Sequence, residues 1–138
     1  MNTTTFDQIK IGDQVSFEVT VTPEDFNAFK AHSHDDNPLH NDAEYARQQG
    51  YPDKVAYGML SASYLSTLAG VYLPGKYALI HTVSVKFLQP VFAEDRLRIS
   101  GEVIDRNETF RFIEVKAVIR NQKDIAVCKA QMQIGVLK

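Results

Sequence analysis

The sequence has no tryptophan, only one cysteine (Cys128), and no run of basic residues. A lone cysteine forms no internal disulfide, so the fold is expected to rest on an apolar core in a reducing, cytoplasmic setting. Lys and Arg number 15 against 17 Asp and Glu, for a formal charge of −2. Without clustered positive charge, neither nucleic acid nor an acidic membrane surface is expected as a partner. Low-complexity tracts, internal repeats and linker-like stretches are also missing, and the first residues, MNTTTFDQIKIGD, show no basic segment followed by an apolar one. No signal peptide is therefore expected. What is there, 138 residues with 44% hydrophobic content, reads as one domain over 1–138 with a sizeable core.

One stretch is long and uncharged. VAYGMLSASYLSTLAGVYLPG, residues 55–75, approaches the length of a membrane span. Tyr57, Ser61, Ser63, Tyr64, Ser66, Thr67 and Tyr72 dilute it, and no second span accompanies it. A helix buried on nearly all sides inside a soluble domain is the better reading.

The patterning around it predicts the remaining elements. Val15, Phe17, Val19 and Val21 alternate with polar residues, which predicts a half-buried strand. Thr22-Pro23-Glu24-Asp25 supplies an N-cap, a proline at the first helical position and early acids, so a helix begins there and ends near His32. Residues 32–40 are expected to be loop, because Asn37-Pro38 disfavours continued helix. Asn41 is expected to cap a second short helix, with Glu44 in a capping box and Gly50 as its stop. The long helix runs over about 57–72. Tyr77, Leu79, His81, Val83, Val85 and Phe87 then alternate as a strand, and Leu97, Ile99, Gly101 and Val103 as another. Phe110 and Phe112 share a phase that Ile113, Val115, Ala117 and Ile119 break, which predicts a β-bulge or two differently packed faces. A last strand covers about 124–136. Short connections imply antiparallel neighbours. The expected architecture is α+β: a curved antiparallel sheet of about five strands around the long helix, its open edge inviting a second copy.

Chemistry concentrates in HSHDDNPLH, residues 32–40. His32, His34 and Asp36 resemble the start of the H-x-H-x-D-H zinc run of metallo-β-lactamase-type hydrolases, with Asn37 in place of the last histidine. A catalytic zinc needs three converging ligands. Only His40 and His81 remain to complete such a set, so no metal is expected. Asp35 and His40 flank an Asn-Pro turn that brings a carboxylate and an imidazole towards one point. Such a pair can add or remove water, since each member takes or gives a proton. Asn37 can fix the loop through backbone hydrogen bonds. A capped, solvated turn between helices accounts for the same residues equally well.

Tyr57-Gly58-Met59 tips this balance. The long apolar helix begins there, so the N–H groups around Gly58 and Met59 lack intrahelical acceptors and favour developing negative charge. An acid/base pair beside such a terminus suits chemistry next to a thioester carbonyl. The plainer alternative is that Gly58 only permits tight packing.

These residues resemble a family. SHDDNPLH at 33–40, YGMLSAS at 57–63, LPGK at 73–76 and VKFLQPVFAEDRL at 85–97 are similar to the (R)-specific enoyl-CoA hydratases of the MaoC-like, hot-dog-fold superfamily. The resemblance spans roughly residues 13–136. It implies a hot-dog fold paired into a homodimer, and hydration of a trans-2-enoyl thioester to the (R)-3-hydroxyacyl thioester, or the reverse. It implies that Asp35 and His40 form the dyad, Asp35 as base toward water and His40 as proton donor to C2. The Gly58 amide matches the oxyanion donor, and Ser63 a serine near the site. The substrate would carry CoA or phosphopantetheine, with no separate cofactor. Two departures stand out: His34 where glycine is common, and Tyr57 where histidine precedes Gly-Met. Tyr57 could reshape the acyl pocket, add a hydroxyl donor, or mark a carrier-protein substrate.

A 3-hydroxyacyl-carrier-protein dehydratase and a hot-dog thioesterase are the alternatives, with a non-catalytic thioester-binding protein behind them. His81 reads as a hydrogen-bonded core residue and Cys128 as an inert one. Lys54, Lys76 and Lys86 are candidates for a substrate phosphate, although solvated lysines are commoner.

Overall fold

The strand pattern at the start of the chain forms as its alternation requires. In β1 (Gln14–Thr20), Val15, Phe17 and Val19 turn towards the core while their neighbours face solvent. The structure, a computed structural model, describes residues 1–138. Thr22 ends this segment and starts α1 (Pro23–Ser33) through a capping box: its hydroxyl accepts from Asp25 N at 3.2 Å, and Asp25 returns an acceptor to Thr22 N at 2.9 Å. Helix α1 stops at His34, whose φ of 62° lies in the left-handed region.

The next two helices differ in detail from their sequence reading. Asn37-Pro38 breaks α1 but opens α2 (Pro38–Asn41), with Pro38 at its first position and the Asn37 side chain capping Leu39 N. The expected loop over 32–40 is therefore only residues 34–37. Asn41 is consumed as the end of α2, so the cap of α3 (Ala43–Gln48) is Asp42, which accepts from Glu44 N and Tyr45 N. Gly50 stops α3 as expected. Its φ of 93° supports a Schellman closure, with Gly50 N bonded to Arg47 O and Tyr51 N to Ala46 O.

The uncharged stretch is α4 (Gly58–Thr67), extended by one π-helical turn at Leu68–Tyr72. Four strands follow: β2 (Ala78–Phe87), β3 (Arg96–Asn107), β4 (Phe112–Arg120) and β5 (Ala126–Val136). All pairings are antiparallel, in the order β1-β3-β4-β5-β2. Leu60, Leu65 and Leu68 are buried against Leu97, Ile99, Val103, Ile113, Val115 and Ile119 of the sheet. Each such leucine contributes about 1.5–3 kcal/mol relative to exposure. The helix rides close to the sheet where Gly101 offers no side chain: a Cβ there would lie 2.8 Å from Leu68 Cδ2.

Two strand readings are corrected. The inward phase of β4 is unbroken from Ile113 to Ile119. Phe110 lies in the turn before it, 75% exposed, and the bulge falls on the partner strand β3 between Val103 and Asp105. In β2 the alternation does not run straight through. Ile80 pairs with Ile134 and Thr82 with Gln133, so His81 is the extra residue of a bulge. His81 is exposed on the sheet's outer side, 3.3 Å from Gln133 Nε2, and is no core histidine.

Candidate active site

A cavity of about 320 Å³ opens where the α4 N-terminus meets the end of β2. Its wall includes His40, Gly58, Ser61, Phe87, Val91 and Cys128. Helix α2 delivers His40, and the connection after α3 fixes its ring. Nδ1 lies 2.6 Å from the carbonyl oxygen of Val55. A carbonyl only accepts, so Nδ1 carries the hydrogen and Nε2 is left to exchange protons.

Asp35 stands on the exposed 34–37 loop. Its Oδ1 accepts from Asn37 N at 3.1 Å in an Asx turn, which leaves Oδ2 unengaged. Asn37 holds the following helix: Oδ1 accepts from Leu39 N, and its carbonyl accepts from His40 N and from Asn41 Nδ2. Asn37 thus belongs to the frame of the site rather than to its wall.

The N–H groups of Gly58 and Met59 have no protein acceptor, and the Tyr57 side chain makes no cap. Gly58 sits beside Phe87, whose Cε1 would be 3.1 Å from an added Cβ, so only glycine leaves this stretch of wall open. The N-terminus of α4 therefore presents free donors next to an imidazole that can carry a proton. That is the equipment for stabilising an oxyanion while protons move nearby.

The sequence-predicted residues divide accordingly. His40 and Gly58 reach the cavity wall; Asp35 and Asn37 stand on the exposed loop before α2 and are not among its lining residues. Met59 does not line the cavity and is 64% exposed. Ser63 is exposed and bonds back to Leu60 O at 2.6 Å. The serine on the wall is Ser61, buried and missed from the sequence. Helical spacing could have found it: Ser61 is three residues from Gly58, about 60° away around the helix, whereas Ser63 is turned by about 140°. Tyr57 is not itself part of the wall. It is 2% exposed and packs behind the wall against Phe26, Phe29 and His40. Cys128 does line the cavity, and burial pushes its thiol pKa up, which keeps it protonated. No three His, Cys, Asp or Glu side chains gather to hold a metal ion, and His32 and His34 are solvent-exposed. No helix is long and apolar enough to cross a membrane.

A five-stranded antiparallel sheet wrapped on a helix whose N-terminus opens the site defines the hot-dog class. The chain belongs to the MaoC-like domain family, whose model matches residues 7–127. An (R)-specific enoyl-CoA hydratase of Rhodospirillum rubrum is 37% identical over 62% of this chain and 60% of its own length. A mitochondrial 3-hydroxyacyl-[acyl-carrier-protein] dehydratase of Arabidopsis thaliana is 33% identical over 73% of this chain and 60% of its own. The match thus spans under two thirds of these two relatives. Among solved structures, the unliganded R-hydratase PhaJ1 of Pseudomonas aeruginosa superposes with a TM-score of 0.91 at 25% identity, covering 97% of this chain and 86% of that one.

Proposed function

We propose that this protein hydrates a trans-2-enoyl thioester to the (R)-3-hydroxyacyl thioester, or catalyses the reverse dehydration, with Asp35 and His40 as its acid/base pair. The observation that carries the reading is the juxtaposition at the cavity wall of His40, its Nδ1–H committed to Val55, and Gly58, whose amide at the α4 N-terminus has no protein acceptor. Hydration needs a base for water, an acid for C2 and a donor for the enolate oxygen. Asp35 takes a proton from water as the oxygen adds to C3. His40, protonated at Nε2, delivers a proton to C2, and Asp35 then returns its proton to Nε2. The Gly58 N–H holds the thioester oxygen as charge develops there, a contribution worth about 10²–10³ in rate for one such donor. The R. rubrum relative supports a CoA thioester. The Arabidopsis relative favours a second reading, dehydration of a carrier-protein thioester by the same groups.

The protein acts as a homodimer in this account. β2 is an edge strand with its outer backbone unpaired, and its last residue, Phe87, and the following Leu88 are 51% and 42% exposed beside the cavity. A second copy laid along β2 would extend the sheet and cover them. The single free thiol, Cys128, fits a reducing, cytoplasmic setting. Product analysis after incubation with crotonyl-CoA, and with the carrier-bound ester, tests the reading. The 3-hydroxyacyl thioester is expected; free thiol would instead identify a thioesterase.

A further inference from the structure

We propose that Tyr57 is the positioning residue of this site: its hydroxyl fixes the Asp35 loop against the helix that supplies Gly58, and its ring fixes the His40 imidazole. The proposal rests on the hydratase reading above. Its basis is the partnering of one buried side chain. The Tyr57 ring packs 4.7 Å from Phe29 and 4.1 Å from His40, stacked on the latter at 30°. A phenol so enclosed must satisfy its hydroxyl. The O–H donates to the Asp35 carbonyl at 2.7 Å, and the oxygen accepts from Asn41 Nδ2 at 3.2 Å. These directions are forced, because a carbonyl only accepts and an amide nitrogen only donates.

The consequence lies in what these bonds join. Residues 34–36 are exposed and otherwise hold only local contacts: His34 N to Lys30, Asp35 N to Ser33 Oγ, and Asp35 Oδ1 to Asn37 N. The Tyr57 hydroxyl is their one hydrogen bond to an element beyond α1 and α2. Asn41, its second partner, also bonds the Asn37 carbonyl at 2.9 Å and so ties the hydroxyl to the helix bearing His40. Tyr57 is itself the N-cap residue of α4, directly before Gly58. Carboxylate, imidazole and amide donor are therefore referenced to one rigid side chain. Because Tyr57 is absent from the cavity wall, its effect falls on the geometry of the reacting groups and not on substrate contact.

The test is Tyr57→Phe, which keeps the ring and removes the hydroxyl. Its two orphaned partners, the Asp35 carbonyl and the Asn41 amide, belong to exposed residues that water can serve, so the variant is expected to fold. The readouts are kcat and KM on crotonyl-CoA, or on the carrier-bound ester if that is preferred, together with backbone ¹⁵N order parameters. A fall in kcat of about ten- to a hundredfold is expected, with KM changed by less than about twofold. The order parameters of residues 34–37 should drop from about 0.85 to below about 0.6 while β3 to β5 stay rigid. Unchanged kcat overturns the proposal, as does a raised KM at constant kcat, which would make Tyr57 a substrate contact. A wild type inactive on both thioesters overturns the hydratase reading instead. The order parameters then decide alone: a loosened loop upholds the clamp, and an unchanged one removes it.

Discussion

His40 Nδ1 and the Val55 carbonyl oxygen lie 2.6 Å apart, which commits one ring nitrogen to structure and leaves Nε2 for proton transfer. Asparagine at position 40 can still donate to Val55 but has nothing at the place of Nε2. His40→Asn is therefore expected to fold normally and to lose about 10²–10⁴ in kcat, the usual range for general acid–base catalysis. Steady-state kinetics beside a melting curve checks this. Wild-type turnover by the variant would move the chemistry away from Nε2.

The open wall at Gly58 makes a separate prediction. A methyl there would stand 3.1 Å from Phe87 Cε1, on the cavity side of the free amides. Gly58→Ala is expected to lower kcat/KM at least tenfold with little change in thermal midpoint, since alanine is a good helix residue. Phe87→Ala in the same chain should restore part of the loss by giving the methyl room. A fully active Gly58→Ala would show that substrate does not approach this terminus.

Gly101 tests the packing that carries the site. Its missing Cβ leaves space for Leu68, and alanine would place a carbon 2.8 Å from Leu68 Cδ2. Gly101→Ala is expected to destabilise by about 1–3 kcal/mol through overpacking. Leu68→Ala combined with it should lose less than the two single costs added. Denaturant unfolding gives all the values. Strict additivity would mean that the helix does not press on the sheet at this point.

Burial raises the pKa of the Cys128 thiol, and of the Tyr64 phenol, where Asp25 adds to the effect. Both neutral forms are favoured by folding. The stability they contribute is whole below their ordinary values, about 8.5 and about 10, and is lost as pH rises through the folded values. The thermal midpoint should therefore fall on the alkaline side. In Tyr64→Phe that fall should be shallower above about pH 10. An identical pH profile in the variant would contradict the assignment.

How far the sequence could be read follows from where each signal sits. β1, β3 and α4 were legible because Val15-Phe17-Val19, Leu97-Ile99-Val103 and the uncharged 57–72 run each bury one continuous surface. β2 was only half legible. Val83, Val85 and Phe87 do share the face of Met132, Ala130 and Cys128. Before His81, however, that face belongs to Ala78 and Ile80, and a bulge that skips one residue leaves no mark on an apparently regular alternation. The helix cap was misplaced by one residue because Asn41 and Asp42 both cap well. Only the three-dimensional turn begun by Pro38 decides between them. In the site, Asp35, His40 and Gly58 stood out as chemistry at a loop and a helix start. The inward turn of Tyr57 towards Phe26 and Phe29 did not, since a tyrosine beside a pocket can point either way.

The central claim is that Asp35 and His40 together move water on and off an enoyl thioester. Its most direct test follows the conjugated absorbance of crotonyl-CoA, and of the carrier-bound ester, with wild-type protein and with Asp35→Asn. The account predicts conversion to the (R)-3-hydroxy product by the wild type and a kcat at least about 10²-fold lower in the variant, whose amide cannot take the water's proton. Equal rates in the two proteins, or a wild type no faster than buffer on both esters, would contradict it.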